Sequence, residues 1–157
     1  MTALRPGVSW MGNVAVGRGP TEEGRVVVRA SIKRAFPWLA WLYVAVLVIQ
    51  VFLAGLAVFA DPATFTTHVA FGQVVVGLLT LLLPIAAWLG RTPFVRTSVG
   101  ILLFYVLQTA LPEVRASYPV VAALHPVLAL GLFWLAVRLA MQARHQSAAP
   151  AAASTMS

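Results

Sequence analysis

The stretch FPWLAWLYVAVLVIQVFLAGLAVFA, residues 36–60, contains no charged side chain in 25 consecutive positions. A helix rises about 1.5 Å per residue, so about 20 apolar residues cross a hydrocarbon core roughly 30 Å thick. Comparable stretches follow at about 67–89, 94–111 and 119–141, in which the charged residues are Arg96 near the start of the third span and Arg138 near the end of the fourth. The sequence therefore predicts an all-α integral membrane protein, an up-down-up-down bundle of four transmembrane helices.

The composition supports this interpretation. Hydrophobic residues make up 61% of the 157 positions and charged residues 10%, far from the soluble average of about half apolar and a quarter charged. Cysteine is absent, which excludes disulfides, thiolate metal sites and cysteine nucleophiles. Arginine outnumbers lysine ten to one, a bias typical of GC-rich bacterial genomes.

Basic residues lie on one side of the predicted spans. Ten of the eleven flank the termini or the loop between spans two and three, and Arg115 alone lies in an outer loop. This is the positive-inside distribution, and it predicts a bacterial inner (cytoplasmic) membrane protein with both termini cytoplasmic. The N-terminal charges could also form a nucleic-acid tail, but they lack clustering and stacking aromatics, so we predict contact with anionic lipid instead and no nucleic-acid partner.

Three segments follow from these patterns. Residues 1–35 are predicted to be a flexible basic cytoplasmic segment, 36–142 the four-helix transmembrane domain, and 143–157 a disordered cytoplasmic tail. Low complexity and few large apolar residues at the two ends underlie this division.

The two halves of the membrane domain resemble each other. Gln50 precedes His68 by 18 residues, and Gln108 precedes His125 by 17. Each half reads as a helix with a mid-membrane glutamine, a short outer loop, and a helix with histidine in its first turns. The pattern predicts either a duplicated two-helix hairpin with a pseudo-twofold axis along the membrane normal or a coincidence of two polar residues in an apolar background.

Intramembrane ionisable residues are costly, so His68 and His125 are the candidate site. Helices two and four of such a bundle are diagonal partners, and neighbours spaced about 9–10 Å place a diagonal at about 13 Å. That gap suits a porphyrin iron with two axial imidazoles. We therefore predict that both histidines ligate one haem b.

Neighbouring residues extend this hypothesis. Gly72, Ala122 and Ala129 lie three or four residues from a histidine and would give clearance on its face, and Arg115 is a candidate partner for the haem propionates. Pro126 disfavours helical dihedrals at His125, so either a helix begins there, with proline in its first turn, or the span is kinked. Pro84 predicts a kink in the second span.

Other sites find less support. Zinc would need three or four ligands, and the outer side adds only Asp61 and Glu113 to the two histidines. The spans lack the charges of an ion pathway, and there is no nucleophile constellation or phosphate loop.

The paired pieces IQVFLAG with TTHVAFG and VLQTAL with AALHPVLAL resemble one four-helix half of haem A synthase, and also small uncharacterised four-span bacterial membrane proteins of that plan. The resemblance covers about residues 38–142. It implies that His68 and His125 are haem axial ligands. The catalytic half of that family carries a glutamate three residues before its first histidine, where this chain has Phe65, and its external cysteine pair is missing. Haem hydroxylation is therefore not implied.

Two hypotheses remain open. The chain is either a haem-binding unit for electron transfer or haem handling, which would meet an external redox partner or quinone, or a non-catalytic scaffold or accessory subunit without cofactor. The sequence favours a protein that is not an enzyme on its own, and it allows a homo- or hetero-oligomer.

Overall fold

A computed structural model describes residues 21–148, and the predicted segments 1–20 and 149–157 lie outside them. Four long helices, labelled here in chain order, are α1 (Glu22–Phe59), α2 (Thr64–Leu89), α3 (Val95–Ala110) and α4 (His125–Ala148). A 3-10 turn (Leu111–Val114) follows α3, and a short helix (Pro119–Ala122) precedes α4. The predicted all-α class is confirmed.

The helices form a ring in chain order. Helix α1 packs on α2, α2 on α3, α3 on α4, and α4 closes the ring against α1. This arrangement places α2 and α4 on a diagonal, as the sequence predicts. All four segments are long and apolar enough to cross a bilayer.

Large apolar side chains cover the outside of the bundle. Trp38, Phe52, Phe59, Leu103 and Leu130 are each more than half exposed. A soluble monomer rarely exposes so much contiguous apolar surface, which is stable against lipid. The chain is a membrane protein.

Helix α1 begins well before the predicted span. Residues 22–35, predicted to be flexible, are helical. The Thr21 hydroxyl accepts a hydrogen bond from the Gly24 N–H at 3.3 Å, and Glu22 and Glu23 occupy the first turn, where carboxylates complement the helix dipole. These caps stabilise a polar helical extension that the hydropathy pattern does not register.

Helix α4 resolves the alternatives at Pro126. The long helix begins at His125, and residues 123–124 form a turn between it and the short helix Pro119–Ala122. Proline therefore lies in the first turn, where its missing N–H has no intrahelical partner to lose. At its other end α4 continues to Ala148, so residues 143–148 of the predicted disordered tail are helical.

Helix α2 contains a π-helical turn that the sequence analysis does not predict. Residues Gly72–Val76 form a π-helical turn, whereas the α-helix Gly77–Leu89 continues through Pro84. A π turn inside an α-helix is rare and often marks a functional site. It begins one turn after His68.

Most of the tight core lies in one half of the bundle. Its fully buried large side chains are Phe36, Tyr43, Leu83, Ile101, Leu132 and Leu139. Phe36, Leu83, Ile101 and Leu139 lie toward the end that carries Arg34, Arg91, Arg96 and Arg144, which we call the basic end. Tyr43 lies near the middle of the bundle, and Leu132 lies seven residues after His125. Toward the opposite end, which carries both histidines and which we call the histidine end, the buried hydrophobic residues are Ala57, Leu111 and Leu132. Fully buried large side chains are therefore fewer toward the histidine end than in the rest of the bundle.

Candidate functional site

The first hairpin joins His68 to Gln50 through three hydrogen bonds. The Nδ1 atom of His68 lies 3.0 Å from the backbone carbonyl oxygen of Gln50. A carbonyl oxygen only accepts, so Nδ1 carries the proton and Nε2 presents a lone pair. The Gln50 amide Nε2 donates to the His68 carbonyl at 3.0 Å and lies 3.3 Å from the His68 Nε2 atom. These contacts fix both the tautomer and the orientation of the imidazole.

The second hairpin repeats the main contact. The Nδ1 atom of His125 lies 2.9 Å from the backbone carbonyl oxygen of Gln108. Both histidines are half-buried near the start of a helix, and each donates to the backbone of a glutamine in the last third of the preceding long helix. The predicted correspondence between the two halves therefore recurs as the same atomic contact.

The two hairpins differ at the glutamine side chain. Within the described residues the Nε2 atom of His125 has no hydrogen-bond partner, and the Oε1 atoms of Gln50 and Gln108 are buried acceptors without a donor. A buried unpaired acceptor costs about 1–3 kcal/mol. The histidine end thus holds two carbonyl-oriented imidazoles and two unsatisfied amide oxygens.

Gly72 explains part of this difference. A Cβ atom at Gly72 would lie 2.6 Å from the Gln50 Nε2 atom, so the absent side chain gives room to that amide. The equivalent position in the second hairpin, four residues after His125, is Ala129. The space beside Gly72, predicted to give a haem clearance, is occupied in this structure by the Gln50 side chain.

Tyr105 contacts the π turn beside His68 and is not among the residues predicted from the sequence. Its hydroxyl donates to the Gly72 carbonyl at 2.9 Å, and a Cβ atom at Gly77 would lie 2.7 Å from it. Gly72 and Gly77, at the two ends of the π turn, therefore leave room for the Gln50 amide and the Tyr105 hydroxyl. The only signal in the sequence is their five-residue spacing, which matches one π-helical turn.

Neither imidazole is hydrogen-bonded to Phe65, Arg115 or Ala122. The Phe65 ring packs against His68 with centroids 5.4 Å apart. The Arg115 guanidinium is exposed and donates to the Pro112 carbonyl at 3.1 Å. Ala122 ends the short helix before the turn, so the same-face spacing assumed for it does not apply across to α4.

Neither histidine forms part of a larger ligand cluster. Within residues 21–148 no three side chains of histidine, cysteine, aspartate or glutamate come together. The atom that each histidine offers to a metal is Nε2, because Nδ1 is held by a carbonyl. A ligating histidine commonly donates its other ring N–H in this way.

Part of the chain is similar to a known family. The model of a family described as "Family of unknown function (DUF6220)" matches residues 50–114. The match begins at Gln50, spans His68, the π turn, Tyr105 and Gln108, and ends before His125. No curated protein and no solved structure matches the chain.

Proposed function

We propose that the chain is a membrane protein that binds one b-type haem, with His68 and His125 as axial ligands at the histidine end, for electron transfer or haem handling. The observation that carries the proposal is the repeated donation from imidazole Nδ1 to a glutamine backbone carbonyl, 3.0 Å in one hairpin and 2.9 Å in the other. It leaves Nε2 as the ligand atom on two diagonal helices. A bis-imidazole haem supplies a one-electron carrier.

The residues fit this role with one adjustment. The carbonyls of Gln50 and Gln108 hold the imidazoles in the neutral tautomer that ligation needs. Ligation by His68 requires the Gln50 amide to give up its 3.3 Å bond to Nε2, a contact worth about 0.6–2 kcal/mol in a membrane bundle. His125 needs no such change.

The environment is also consistent with a cofactor. Fewer large side chains are fully buried toward the histidine end, and apolar walls with a few fixed polar groups are typical of ligand sites between bundle helices. The exposed Arg115 guanidinium at the same end is the candidate counter-ion for propionates.

We further propose that the protein lies in the bacterial cytoplasmic membrane with both termini inside. Cations concentrate in the N-terminal part of α1, in the C-terminal part of α4 and around the loop between α2 and α3. Segments rich in lysine and arginine beside membrane spans stay on the cytoplasmic side. The histidine end would then face outward, where an external redox partner or a quinone would meet the haem.

A second candidate function is a scaffold or accessory subunit without cofactor. It is favoured by the same hydrogen bonds, because the contacts of His68 with Gln50 and of His125 with Gln108 each tie two helices of a hairpin together. Polar contacts of this kind stabilise membrane bundles on their own account.

An absorption spectrum of the purified protein separates the two functions. The full chain, expressed with ample haem and purified in detergent, should give sharp bands in the reduced-minus-oxidised difference spectrum. His68→Ala and His125→Ala should each weaken or abolish them. His145→Ala is the matched control, because His145 is exposed near the basic end and should leave the bands unchanged.

Folding must be measured in the same preparations. If the histidine variants keep their helical circular dichroism and lose the bands, ligation is supported. A colourless wild-type protein that cannot be reconstituted with haem, together with marked thermal destabilisation of both variants, would favour the scaffold.

A further inference from the structure

A cleft at the basic end opens between the segment 34–41 of α1 and the last turns of α4. Its volume is about 310 Å³, and its lining includes Arg34, Trp38, Trp41, Arg144 and Ser147. We call it the α1–α4 cleft. Arg34 and Arg144 are exposed, so two guanidinium groups, one from each helix, stand at its wall.

These cations have no carboxylate partner among the described residues. The ion pair present there joins Arg25 to Glu22. The whole chain has four acidic residues: Glu22 and Glu23 open α1, while Asp61 and Glu113 lie at the histidine end. Arg34 is twelve residues from Glu22, about 18 Å along the helix at 1.5 Å per residue. The cleft therefore carries uncompensated positive charge.

Trp41 adds an unsatisfied donor. Its indole Nε1 is buried and has no hydrogen-bond acceptor within the described residues. Trp41 follows Arg34 by seven residues, which places both on one face of α1 and Trp41 about 10 Å farther into the membrane-spanning part. Both side chains line the α1–α4 cleft.

We propose that the α1–α4 cleft binds the headgroup of an anionic phospholipid. The Arg34 and Arg144 guanidinium groups hold the phosphate, and the Trp41 indole N–H donates to a carbonyl of the glycerol ester. In a phospholipid the phosphate lies nearer the membrane surface and the ester carbonyl lies deeper, which matches the order of Arg34 and Trp41 along α1. Free phosphate has no ester carbonyl for Trp41. The exposed Trp38 ring lies beside the site, where tryptophan is favoured at a membrane interface.

Lipid-dependent stability of the detergent-purified full chain tests this site. Phosphatidylglycerol should raise the unfolding temperature and remain bound in native mass spectrometry, whereas phosphatidylcholine and inorganic phosphate should do neither. The double variant Arg34→Gln/Arg144→Gln should weaken phosphatidylglycerol binding roughly tenfold or more, since it removes charge-assisted hydrogen bonds. Trp41→Phe, which keeps the ring and removes the N–H, should weaken it about threefold to tenfold.

A matched double variant controls for charge. Arg96→Gln/Arg138→Gln removes two cations from outside the cleft and should retain the wild-type response. All four arginines are exposed, so the cleft variant should fold normally without lipid. The control variant also loses the contact of Arg138 with the Trp134 ring at 5.2 Å, worth about 0.5–1 kcal/mol, so the response to lipid is compared with each variant's own lipid-free stability. Equal losses in the two double variants, equal stabilisation by inorganic phosphate, or no response to phosphatidylglycerol would each overturn the proposal.

Discussion

At the scale of single residues, the histidine end is defined by which atom bonds to which carbonyl. His68 and His125 each use Nδ1 on a glutamine backbone oxygen, so one contact both ties two helices together and leaves the lone pair on Nε2. The glutamine side chains then distinguish the hairpins, since only Gln50 reaches its histidine.

We expect the missing side chain at Gly72 to be what allows the Gln50 amide to contact His68. In Gly72→Ala the new Cβ would lie 2.6 Å from the Gln50 amide nitrogen, so the amide must leave His68. Gly55→Ala is the control, because its Cβ would meet nothing within 4 Å. We expect Gly72→Ala to be less stable than Gly55→Ala by about 1–2 kcal/mol, the value of the lost contacts. Detergent unfolding measures the difference, and equal stabilities would contradict the clearance role.

Tyr105 should stabilise the π turn through one hydrogen bond. Tyr105→Phe removes the donor to the Gly72 carbonyl and should cost about 1 kcal/mol. Tyr118→Phe, at a site 63% exposed, should change stability by less than about 0.5 kcal/mol. Comparison of the two unfolding midpoints tests this expectation, which fails if the two variants are indistinguishable.

At the scale of the helix, the C-terminus of α2 carries local strain. The Thr92 N–H bonds the Ala87 carbonyl at 2.9 Å, and the Arg91 N–H bonds the Trp88 carbonyl at 3.0 Å. This is the pattern of a Schellman motif, whose left-handed position is usually glycine. Here Arg91 adopts φ 49°, while Gly90 is used for close approach to α1, where its Cβ would lie 3.2 Å from the Ile32 Cγ2 atom.

Relief of this strain should stabilise the protein. Arg91→Gly removes the Cβ that makes the left-handed conformation unfavourable, and we expect a gain of about 1 kcal/mol. Arg91→Ala removes the same charge but keeps the Cβ, so it should give no gain. Thermal unfolding of both variants separates backbone strain from charge, and a gain in Arg91→Ala would point to charge instead.

At the scale of the whole molecule, the bundle has two unlike ends. The basic end combines the tight core with nearly all the cations of the described residues, while the histidine end combines half-buried polar groups with sparse core packing. Close packing stabilises the first end, whereas fewer large side chains are fully buried at the second. A division of this kind allows a site to be adaptable while the bundle remains folded.

The absence of cysteine makes the orientation directly measurable. Ser117→Cys lies in the loop at the histidine end, and Ser31→Cys lies on α1 at the basic end; both positions are exposed. In intact bacterial cells a membrane-impermeant maleimide should label Ser117→Cys alone, and Ser31→Cys should be labelled only after permeabilisation. The reverse result would invert the proposed topology.

Much of the fold follows from the sequence because lipid imposes simple rules. Length and apolarity predict four helices, since a segment in hydrocarbon must satisfy its own backbone hydrogen bonds. Chain order with short loops predicts the ring and its α2–α4 diagonal. The helical start at Glu22 is less evident, because a polar helix outside the membrane depends on the caps at Thr21, Glu22 and Glu23 and not on hydropathy.

The sequence alone determined the helical class, the concentration of cations near three segments, and the equivalence of the two Gln and His pairs. Only the tertiary structure decided that each histidine bonds a backbone carbonyl, that Gln50 occupies the space above Gly72, and that Tyr105 supports a π turn. The physical reason is that hydropathy and charge are summed over whole segments, whereas these contacts depend on a few tenths of an ångström between particular atoms on different helices.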